Sequence, residues 1–366
     1  MKPIRAAVVG LNFGMEHVAA LTLNERFQIA AICDKDATKL GWMQGKPVEL
    51  DHEAAWYRDA RKALVAQVRQ RADRLANTTY YQDFDALLAD DSVEAVILAL
   101  PCHMNAPFAT RALEAGKHTF SSKPFGLTRT QGEELLATVR GSDRQFMLGF
   151  QFRHSPLFKQ VRRMIDAGAL GQVKQIWWNM TRMPLRPSHN RKELSGGPYL
   201  AECCHWLDLM EFFQPGARFT RVAAFGGLDL PNTHVDIADN AVTIVDYDSG
   251  VRGSLNFTYF TAQPEYNTFG VQGTDGKIRG DTEQSGRFVM WSGATQDRTD
   301  FVANPARTWH GHLGFDVNQH AWADNIAAGD HARSVDEAER GMENLMVCLA
   351  AEKALDSGVV VARGDV

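Results

Sequence analysis

Lys123 and His205 are the residues whose types and contexts best fit chemistry at a hydroxyl group. In "GKHTFSSKPFGLT" the lysine follows a strand-like run at the point where the run stops. It is either a solvated surface residue or an ammonium that favours negative charge developing on an oxygen. Histidine is the natural base for a proton that leaves near neutral pH. Asp208 follows His205 by three residues, so both can face one side of a helix.

The segment "ECCH" places Glu202, Cys203 and Cys204 directly before His205, which raises the possibility of a bound metal. Adjacent residues on a helix point about 100° apart, so four in a row cannot converge on one ion. We therefore predict no metal site and interpret the two cysteines as small packing residues. The chain has five cysteines and no CxxC pair, which is typical of free thiols in a reducing cytoplasm.

The composition is that of a soluble globular protein with room for two domains. The chain has 366 residues, of which 45% are hydrophobic and 23% charged, with a formal net charge of −5. Mild acidity argues against nucleic acid as a partner, because phosphate binding needs a basic face. No apolar run reaches the roughly 18 residues of a membrane span, so we expect a cytoplasmic protein that is not bound to membranes.

The elements that must position Lys123 and His205 fall into two groups. Residues 1–124 alternate short Val-, Ile- and Ala-rich runs with helical patterns, which predicts a doubly wound α/β domain around a parallel sheet. Ligands of such sheets bind outside the carboxyl ends of the strands, where Lys123 lies. Residues 125–366 predict an α+β domain with a large, mainly antiparallel open sheet, whose last helix packs back on the first domain or stays with the second.

The turn "VVGLNFGMEH" lies between the first strand and the first helix, where a Rossmann dinucleotide fingerprint belongs. Gly10 and Gly14 let backbone N–H groups approach a pyrophosphate at the helix N-terminus, with Asn12 and Phe13 between them. Asn12 replaces the usual second glycine, and Gly14 comes one residue early. The turn is either a dinucleotide site or a structural glycine turn.

Asp34 ends the second strand, 24 residues after Gly10. A carboxylate there can accept both hydroxyls of an adenosine ribose and would repel a 2′-phosphate, which favours NAD over NADP. Lys35 beside it keeps NADP possible. The alternative is that Asp34 caps the next helix.

Three further segments leave alternatives open. Residues 51–76 predict a long charged helix, which is either a solvated face, an oligomer contact or a wall near the adenine of a cofactor. The basic stretch 182–192 is either a solvated loop or a lid whose Arg182 touches a polar or anionic sugar. In "TWHGH", His310 is a candidate for the edge of a substrate pocket.

Three stretches together resemble the glucose–fructose oxidoreductase, inositol dehydrogenase and rhizopine-catabolism (Gfo/Idh/MocA) family of NAD(P)-dependent sugar dehydrogenases. They are "ALEAGKHTFSSKPFGLT", "GFQFRHSPLFKQVRRMIDAGALGQV" and "SGGPYLAECCHWLDLMEFF". The similarity covers nearly the whole chain apart from 51–76. This sequence departs from the family at Ser122, where an acidic residue is usual, and at Ala201, where an aspartate often precedes the histidine by four residues.

The resemblance assigns roles by position. It implies that Lys123 contacts the reacting hydroxyl and the nicotinamide region, and that His205 lies beside the substrate, with Asp208 one turn later. Glu202 is carried over as an offset substitute for the family aspartate. The remaining residues implied to border the cofactor are Leu100, Pro101, Asn105, Pro124, Gln151 and Arg153, of which Arg153 also borders the substrate.

The implied function is oxidation of a secondary hydroxyl of a sugar, glycoside or cyclitol, with hydride transfer to NAD. Three alternatives remain from the same family: a glycosidase that uses bound NAD for transient oxidation and elimination, a non-catalytic NAD-binding regulator, and a reductase that runs the same chemistry backwards. The open sheet needs cover for its apolar outer face, so we expect a homodimer or homotetramer.

Overall fold

The computed structural model describes most of the chain. The described residues are 2–49, 55–182, 189, 191–230, 235–259, 266–282, 287–292, 298–302, 308–309, 312–313 and 315–366. His310 and residues 51–54 lie outside this set. Within the described residues, no helix is long and apolar enough to cross a bilayer.

The N-terminal region is a doubly wound Rossmann domain, as predicted. Six parallel strands lie in the order β3-β2-β1-β4-β5-β6. They are β1 (Ile4–Val9), β2 (Phe27–Cys33), β3 (Thr79–Tyr81), β4 (Ala95–Leu98), β5 (His118–Ser121) and β6 (Phe146–Leu148). Strands β1, β2 and β4 are almost wholly buried, because helices cover both faces of the sheet.

The helices of this region begin where capping residues are available. Asp36, Asp83 and Thr128 each accept a backbone N–H in the first turn of the helix that follows. The helices are α1 (Gly14–Thr22), α2 (Ala37–Met43), α3 (Ala55–Arg69), α4 (Phe84–Leu88), α5 (Cys102–Glu114) and α6 (Arg129–Gly141).

The charged segment predicted as one long helix contains α3 and a short 3₁₀ turn, Ala72–Leu75. Within this segment Leu64, Val68 and Leu75 are buried, whereas Ala60 is exposed. Helix α3 packs on α1 and α2, so its buried face belongs to the core of the nucleotide domain.

The C-terminal region contains a nine-stranded, mostly antiparallel sheet in the order β14-β13-β12-β11-β7-β10-β9-β8-β17. One parallel pair, β7 with β10, interrupts the antiparallel pattern. The turn "DYDSGV" joins β9 to β10, with Gly250 at φ +79°. The strands are β7 (Val173–Thr181), β8 (Phe219–Gly227), β9 (Asn240–Tyr247), β10 (Arg252–Thr258), β11 (Tyr266–Gly273), β12 (Gly276–Asp281), β13 (Arg287–Ser292), β14 (Arg298–Val302) and β17 (Val361–Ala362), with a separate pair β15 (Thr308–Trp309) and β16 (His312–Leu313).

Helices pack against the inner face of this sheet and bridge the two regions. Trp178 on β7 is buried, while the neighbouring Trp177 is only partly buried, as alternation along a strand predicts. The helices are α7 (Pro156–Asp166), α8 (Lys192–Ser195), α9 (Cys204–Phe212), α10 (Phe315–Ala328) and α11 (His331–Ser357).

Two later segments join the nucleotide domain. Strand β6 follows the boundary predicted at residue 124 and pairs with β5, so the first sheet takes a strand from beyond that point. Trp322 of α10 is fully buried and stacks on Phe27 of β2. Helix α11 contacts both β6 and β8. The last helices therefore fix the two sheets relative to each other.

Candidate active site

The turn between β1 and α1 is built for close approach of the backbone. Gly10 has φ +88°, and a Cβ there would lie 2.6 Å from the Ala99 carbonyl oxygen. Its N–H donates to the Cys33 carbonyl at 2.8 Å. A Cβ on Gly14 would lie 3.0 Å from the Val8 Cγ1, so this glycine allows the helix to pack tightly on β1 despite its early position.

Asp34 shapes the same turn rather than capping a helix. Its carboxylate accepts the N–H of Leu11 at 2.7 Å and the N–H of Asp36 at 2.9 Å. Asp36 is the residue that caps α2. Lys35 is exposed, and the lysine near Asp34 is instead Lys39, whose Nζ lies 4.0 Å from the carboxylate. No sequence motif identifies Lys39 as a neighbour of Asp34, since its position depends on the direction in which α2 leaves the sheet.

Lys123 lies two residues beyond the carboxyl end of β5, between the two domains. Its ammonium donates to the Ala201 carbonyl and lies 3.7 Å from the Glu202 carboxylate. The lysine side chain is 15% exposed. Burial opposes the charge, but Glu202 together with the nearby Cys204 and Cys102 outweighs it, so the pKa of Lys123 is raised. Lys123 is therefore a cation at neutral pH.

Glu202 is shared by two cations. Arg182, at the end of β7, donates to its Oε2 at 2.6 Å, and Lys123 lies against Oε1. Burial alone would raise the pKa of Glu202, but the charges of Lys123 and Arg182 hold it well below its usual range. The carboxylate is therefore a fixed anion.

The offset of Glu202 from His205 has a structural cause. Residues Tyr199–Cys203 form a π-helical turn that leads directly into α9, and the Cys204 N–H donates to the Tyr199 carbonyl five residues back. We call Tyr199–Cys203 the π turn. Such turns recur at functional sites because they change the direction of side chains within a helix. Here Glu202 and the Ala201 carbonyl both face Lys123.

Asn105 holds the backbone of Lys123 through a hydrogen bond. It is fully buried on α5, and its Nδ2 donates to the Lys123 carbonyl at 2.8 Å. Helix α5 begins after Pro101. Among the residues that the structure describes, the buried Asn105 Oδ1 and Ser122 Oγ have no hydrogen-bond partner. Both atoms can therefore accept or share a hydrogen bond with a bound group.

His205 lies at the start of α9 with only 7% of its surface exposed. Its ring packs against Phe152, with centroids 5.0 Å apart, and edge-on against Phe150 at 5.7 Å. The aromatic contacts fix the plane of the imidazole, and the charge of His205 lowers the pKa of the nearby Glu202.

Asp208 does not share this arrangement with His205. It is fully buried, and the guanidinium of Arg153 binds both of its carboxylate oxygens, with N–O distances of 2.6 to 2.8 Å. Burial raises the pKa of Asp208 and Arg153 offsets this only in part, whereas Asp208 raises the pKa of Arg153 against its own burial. The short bidentate contact is that of an ionised pair. Gln151, in the same 3₁₀ turn as Arg153, is also buried.

The structure thus brings together three of the predicted residues, Lys123, Glu202 and Arg182. His205 lies close enough for its charge to lower the pKa of Glu202. The Asp208–Arg153 pair stands apart as an ion pair between α9 and the turn before α7. His310 lies outside the described residues. In the described part of the chain, no three His, Cys, Asp or Glu residues lie close enough to hold a metal.

The residues present fit a nicotinamide dinucleotide. Gly10 lets the turn approach Ala99 where a Cβ would clash with its carbonyl oxygen, Asp34 presents a carboxylate beside the turn, and Asn105 and Ser122 have unpartnered polar atoms next to Lys123 at the carboxyl end of the sheet. The first two would hold the adenosine and pyrophosphate, and the last two would border the nicotinamide.

Comparisons with known proteins agree with this arrangement. Two family models match: "Oxidoreductase family, NAD-binding Rossmann fold" over residues 4–150, and "GFO/IDH/MocA C-terminal domain" over residues 158–279. The first confirms the predicted NAD-binding Rossmann domain. A solved structure of GenD2 from gentamicin A biosynthesis, in complex with NAD, shares the fold with a TM-score of 0.76 and 20% identity, covering 99% of this chain and 97% of that one.

Two curated relatives are similar over part of their length. The dTDP-3,4-didehydro-2,6-dideoxy-alpha-D-glucose 3-reductase of Actinomadura kijaniata is 34% identical over 122 residues, 32% of this chain and 36% of the relative. The levoglucosan dehydrogenase of Pseudarthrobacter phenanthrenivorans is 25% identical over 250 residues, 60% of this chain and 63% of the relative. The chain thus spans less than two thirds of either relative. Because the two family models together cover both domains, the chain belongs to the Gfo/Idh/MocA family of oxidoreductases.

Proposed function

We propose that this protein oxidises a secondary hydroxyl of a sugar, glycoside or cyclitol to the ketone with NAD. The observation that carries the proposal is that Lys123 and Glu202 lie together beyond the carboxyl end of β5, with His205 close enough for its charge to lower the pKa of Glu202. A cationic lysine and a histidine thus both lie near the same carboxylate. Relatives that act on a nucleotide sugar and on levoglucosan support a carbohydrate substrate.

The roles follow from the charges of the groups. Bound NAD would supply the hydride acceptor. Lys123 stays protonated, so it serves as a hydrogen-bond donor that stabilises negative charge on the substrate oxygen and not as the base. Glu202 is a poor base, because its two cationic partners keep it ionised. His205 remains as the group that takes the proton.

Glu202 and Arg182 also limit the substrate. The guanidinium of Arg182 is engaged by Glu202 at 2.6 Å, so its charge is largely neutralised within the protein. A substrate carboxylate or phosphate would have to compete with Glu202 for it. We therefore propose a neutral polyol as substrate, held by hydrogen bonds to the carboxylate and the guanidinium.

NAD is the proposed cofactor in preference to NADP. Asp34 is 8% exposed, and each oxygen of its carboxylate already accepts one N–H. A second lone pair on each oxygen remains for the ribose hydroxyls. A 2′-phosphate would meet this anion directly. Replacing Asp34 with Asn keeps an acceptor and removes the charge, so D34N should shift the ratio of NADP to NAD dissociation constants toward NADP by about tenfold or more. An unchanged ratio contradicts the role of Asp34.

We propose a homodimer or homotetramer that covers the outer face of the nine-stranded sheet. Phe225 of β8 and Val242 and Ile244 of β9 lie on this face, 66%, 57% and 50% exposed. Contiguous exposed apolar side chains of this kind mark protein interfaces. Light scattering after size exclusion should give a multiple of the 40.7 kDa chain, and Ile244→Asp should reduce it to the monomer mass.

The function is tested by the absorbance of reduced nicotinamide with NAD or NADP and a panel of inositols, free hexoses and glycosides. We expect growth of NADH with one substrate class. Lys123→Met should slow it by about 100- to 1,000-fold, while Lys62→Met, at an exposed position, should leave it unchanged. Release of an aglycone without net NADH would support the redox-elimination glycosidase. NAD binding without either reaction, across the panel, would contradict the dehydrogenase and favour the regulator.

A further inference from the structure

Glu352 of the last helix reaches the start of the π turn. Its side chain is 7% exposed, and its Oε1 accepts the Tyr199 N–H at 2.7 Å. The Leu200 N–H also donates to this carboxyl group. These N–H groups begin a helical segment and have no partner within it. Glu352 therefore acts as a capping group supplied from 153 residues away in the chain.

Gly197 makes this contact possible. It has φ +113°, and a Cβ at this position would lie 2.3 to 2.4 Å from the carboxyl atoms of Glu352. Only glycine leaves room for the carboxyl group and also adopts this backbone conformation without strain. The "SGGP" sequence before the π turn is thus explained by the approach of Glu352.

A second residue of α11 holds the other end of the segment. Asn344 is 2% exposed, and its Nδ2 donates to the Cys204 carbonyl at 3.0 Å. Glu352 and Asn344 lie two helical turns apart on α11. Glu352 binds the first N–H groups of the π turn, and Asn344 binds the carbonyl of Cys204, directly after it. Between these two ties lie the Ala201 carbonyl and the Glu202 carboxylate, which are the groups that contact Lys123.

We propose that Glu352 is a positioning residue that sets the placement of Lys123 in the active site through the π turn. The proposal rests on the proposed dehydrogenase function for its catalytic consequence. The effect of Glu352 on Lys123 and Glu202 passes through the backbone of Tyr199 and Leu200. Moving these amides moves the Ala201 carbonyl, which is the next group along the turn.

The charges around Glu352 come from three elements. Lys192 of α8 is nearest among the cations, and Asp356 lies one turn later on α11, while the Lys192 ammonium itself is 2.5 Å from Asp356. The π turn adds the thiol of Cys203 and the phenol of Tyr199. Burial raises the pKa of Glu352 to about 8, so its neutral form dominates at physiological pH. Glutamine is accordingly a close mimic of this side chain.

The experiment compares four variants of the full-length protein. Glu352→Ala removes the cap, and Glu352→Asp retains a carboxyl group but withdraws it by one methylene. Glu352→Gln preserves its shape and an acceptor. Glu343→Gln is the matched control, since Glu343 lies on the same helix and pairs with Arg363 at 2.6 Å, away from the π turn. Steady-state kinetics uses the substrate found in the sugar and cyclitol panel.

We expect Glu352→Ala and Glu352→Asp to lower kcat by about 10- to 100-fold with little change in KM, because a small misplacement of a catalytic group has that cost. Glu352→Gln and Glu343→Gln should retain kcat within a factor of about three. If Glu352→Ala does not fold, Glu352→Asp carries the test. A merely structural cap would lower the melting temperature and leave kcat of the folded enzyme unchanged, which would overturn the proposal.

A second readout does not depend on turnover. Lysine labelled with ¹³C at Cε reports the protonation of each ammonium by NMR, and Lys123→Arg assigns the signal of Lys123. Displacing Glu202 should lower the pKa of Lys123 in the Ala and Asp variants, while Gln and the control leave it in place. An unshifted Lys123 signal in the Ala variant contradicts the positioning role. If no panel member reacts, this readout still tests the inference, and the failure then belongs to the proposed function alone.

Discussion

Two acids that bind cations, Glu202 and Asp208, lie six residues apart on the same helical segment. They differ in exposure and in how their partners bind them. Glu202 is divided between Lys123 at 3.7 Å and Arg182 at 2.6 Å, and all three side chains are between 15% and 28% exposed. Asp208 is bound through both oxygens by one guanidinium, and the two side chains are 1% and 11% exposed.

The ammonium of Lys123 is therefore available for a further contact, whereas the guanidinium of Arg153 is engaged by one carboxylate. Lys123 is close to its anion but is not bound by it in an ideal geometry, so the ammonium can also contact a substrate oxygen. Arg153 binds both carboxylate oxygens of Asp208 and so fixes α9 against the turn before α7. By sequence alone, Asp208 and Glu202 are equally good candidates for the acid that acts beside His205. The cation that each acid binds in the folded protein distinguishes them.

The largest effect should come from Lys123→Met. We expect turnover to fall by about 100- to 1,000-fold, because one preformed donor to the developing oxyanion is lost. Glu202 keeps Arg182 as its partner, so the melting temperature should change little. Initial rates, thermal unfolding and an NAD titration measure the three quantities. Substantial turnover in a folded, NAD-binding variant would remove Lys123 from the mechanism.

Arg153→Met should instead lower the stability of the fold. It leaves the Asp208 carboxylate buried without a partner, which costs about 3–5 kcal/mol of unfolding free energy. Urea titration followed by fluorescence measures this loss. The double variant Arg153→Met, Asp208→Leu removes both charges and should recover much of it. If the single variant is as stable as the parent, the pair is not the structural tie described above.

Glu202→Gln should produce a smaller and more specific change. Without the carboxylate charge, burial and Arg182 lower the pKa of Lys123, so the alkaline limb of the pH–rate profile moves to lower pH. Turnover at neutral pH should fall by about tenfold. A profile that keeps its alkaline limb would show that Glu202 does not hold the lysine charge.

The most gradual effect, spread over several pH units, concerns Glu352 and the pH dependence of stability. Its pKa is raised in the folded protein from 4.5 to about 8, so the unfolded chain loses the proton first as pH rises. Stability from this group is complete below about pH 4.5 and declines toward pH 8, by at most about 1.4 kcal/mol per pH unit. Melting temperatures of Glu352→Gln across this window should fall less steeply than those of the parent. Parallel curves would contradict the raised pKa.

The dinucleotide turn shows what local sequence can specify. Gly10 and Gly14 could be predicted because a tight turn and close helix packing require a missing Cβ at those positions. The acid at the end of β2 could be predicted from its distance along the chain. Lys39 could not, because its proximity to Asp34 depends on the direction in which α2 leaves the sheet.

The active-site cluster shows what local sequence leaves open. Lys123 and His205 could be singled out by their contexts and by family resemblance. The partners of Lys123 are 78 and 79 residues away, and the pairing of Arg153 with Asp208 joins residues 55 apart. No periodicity or motif encodes which of two nearby acids meets which cation, since that depends on how the helices pack.

The sequence by itself determined the Rossmann domain, its glycine turn, the acid that follows, and a lysine at a strand end, because each is marked by residue types and spacing within a short stretch of chain. Only the tertiary structure decided that Glu202 and not Asp208 faces Lys123, and that Glu352 caps the π turn. Those contacts depend on the packing of α9 and α11, and side-chain charge and burial are properties of the packed chain and not of any segment alone.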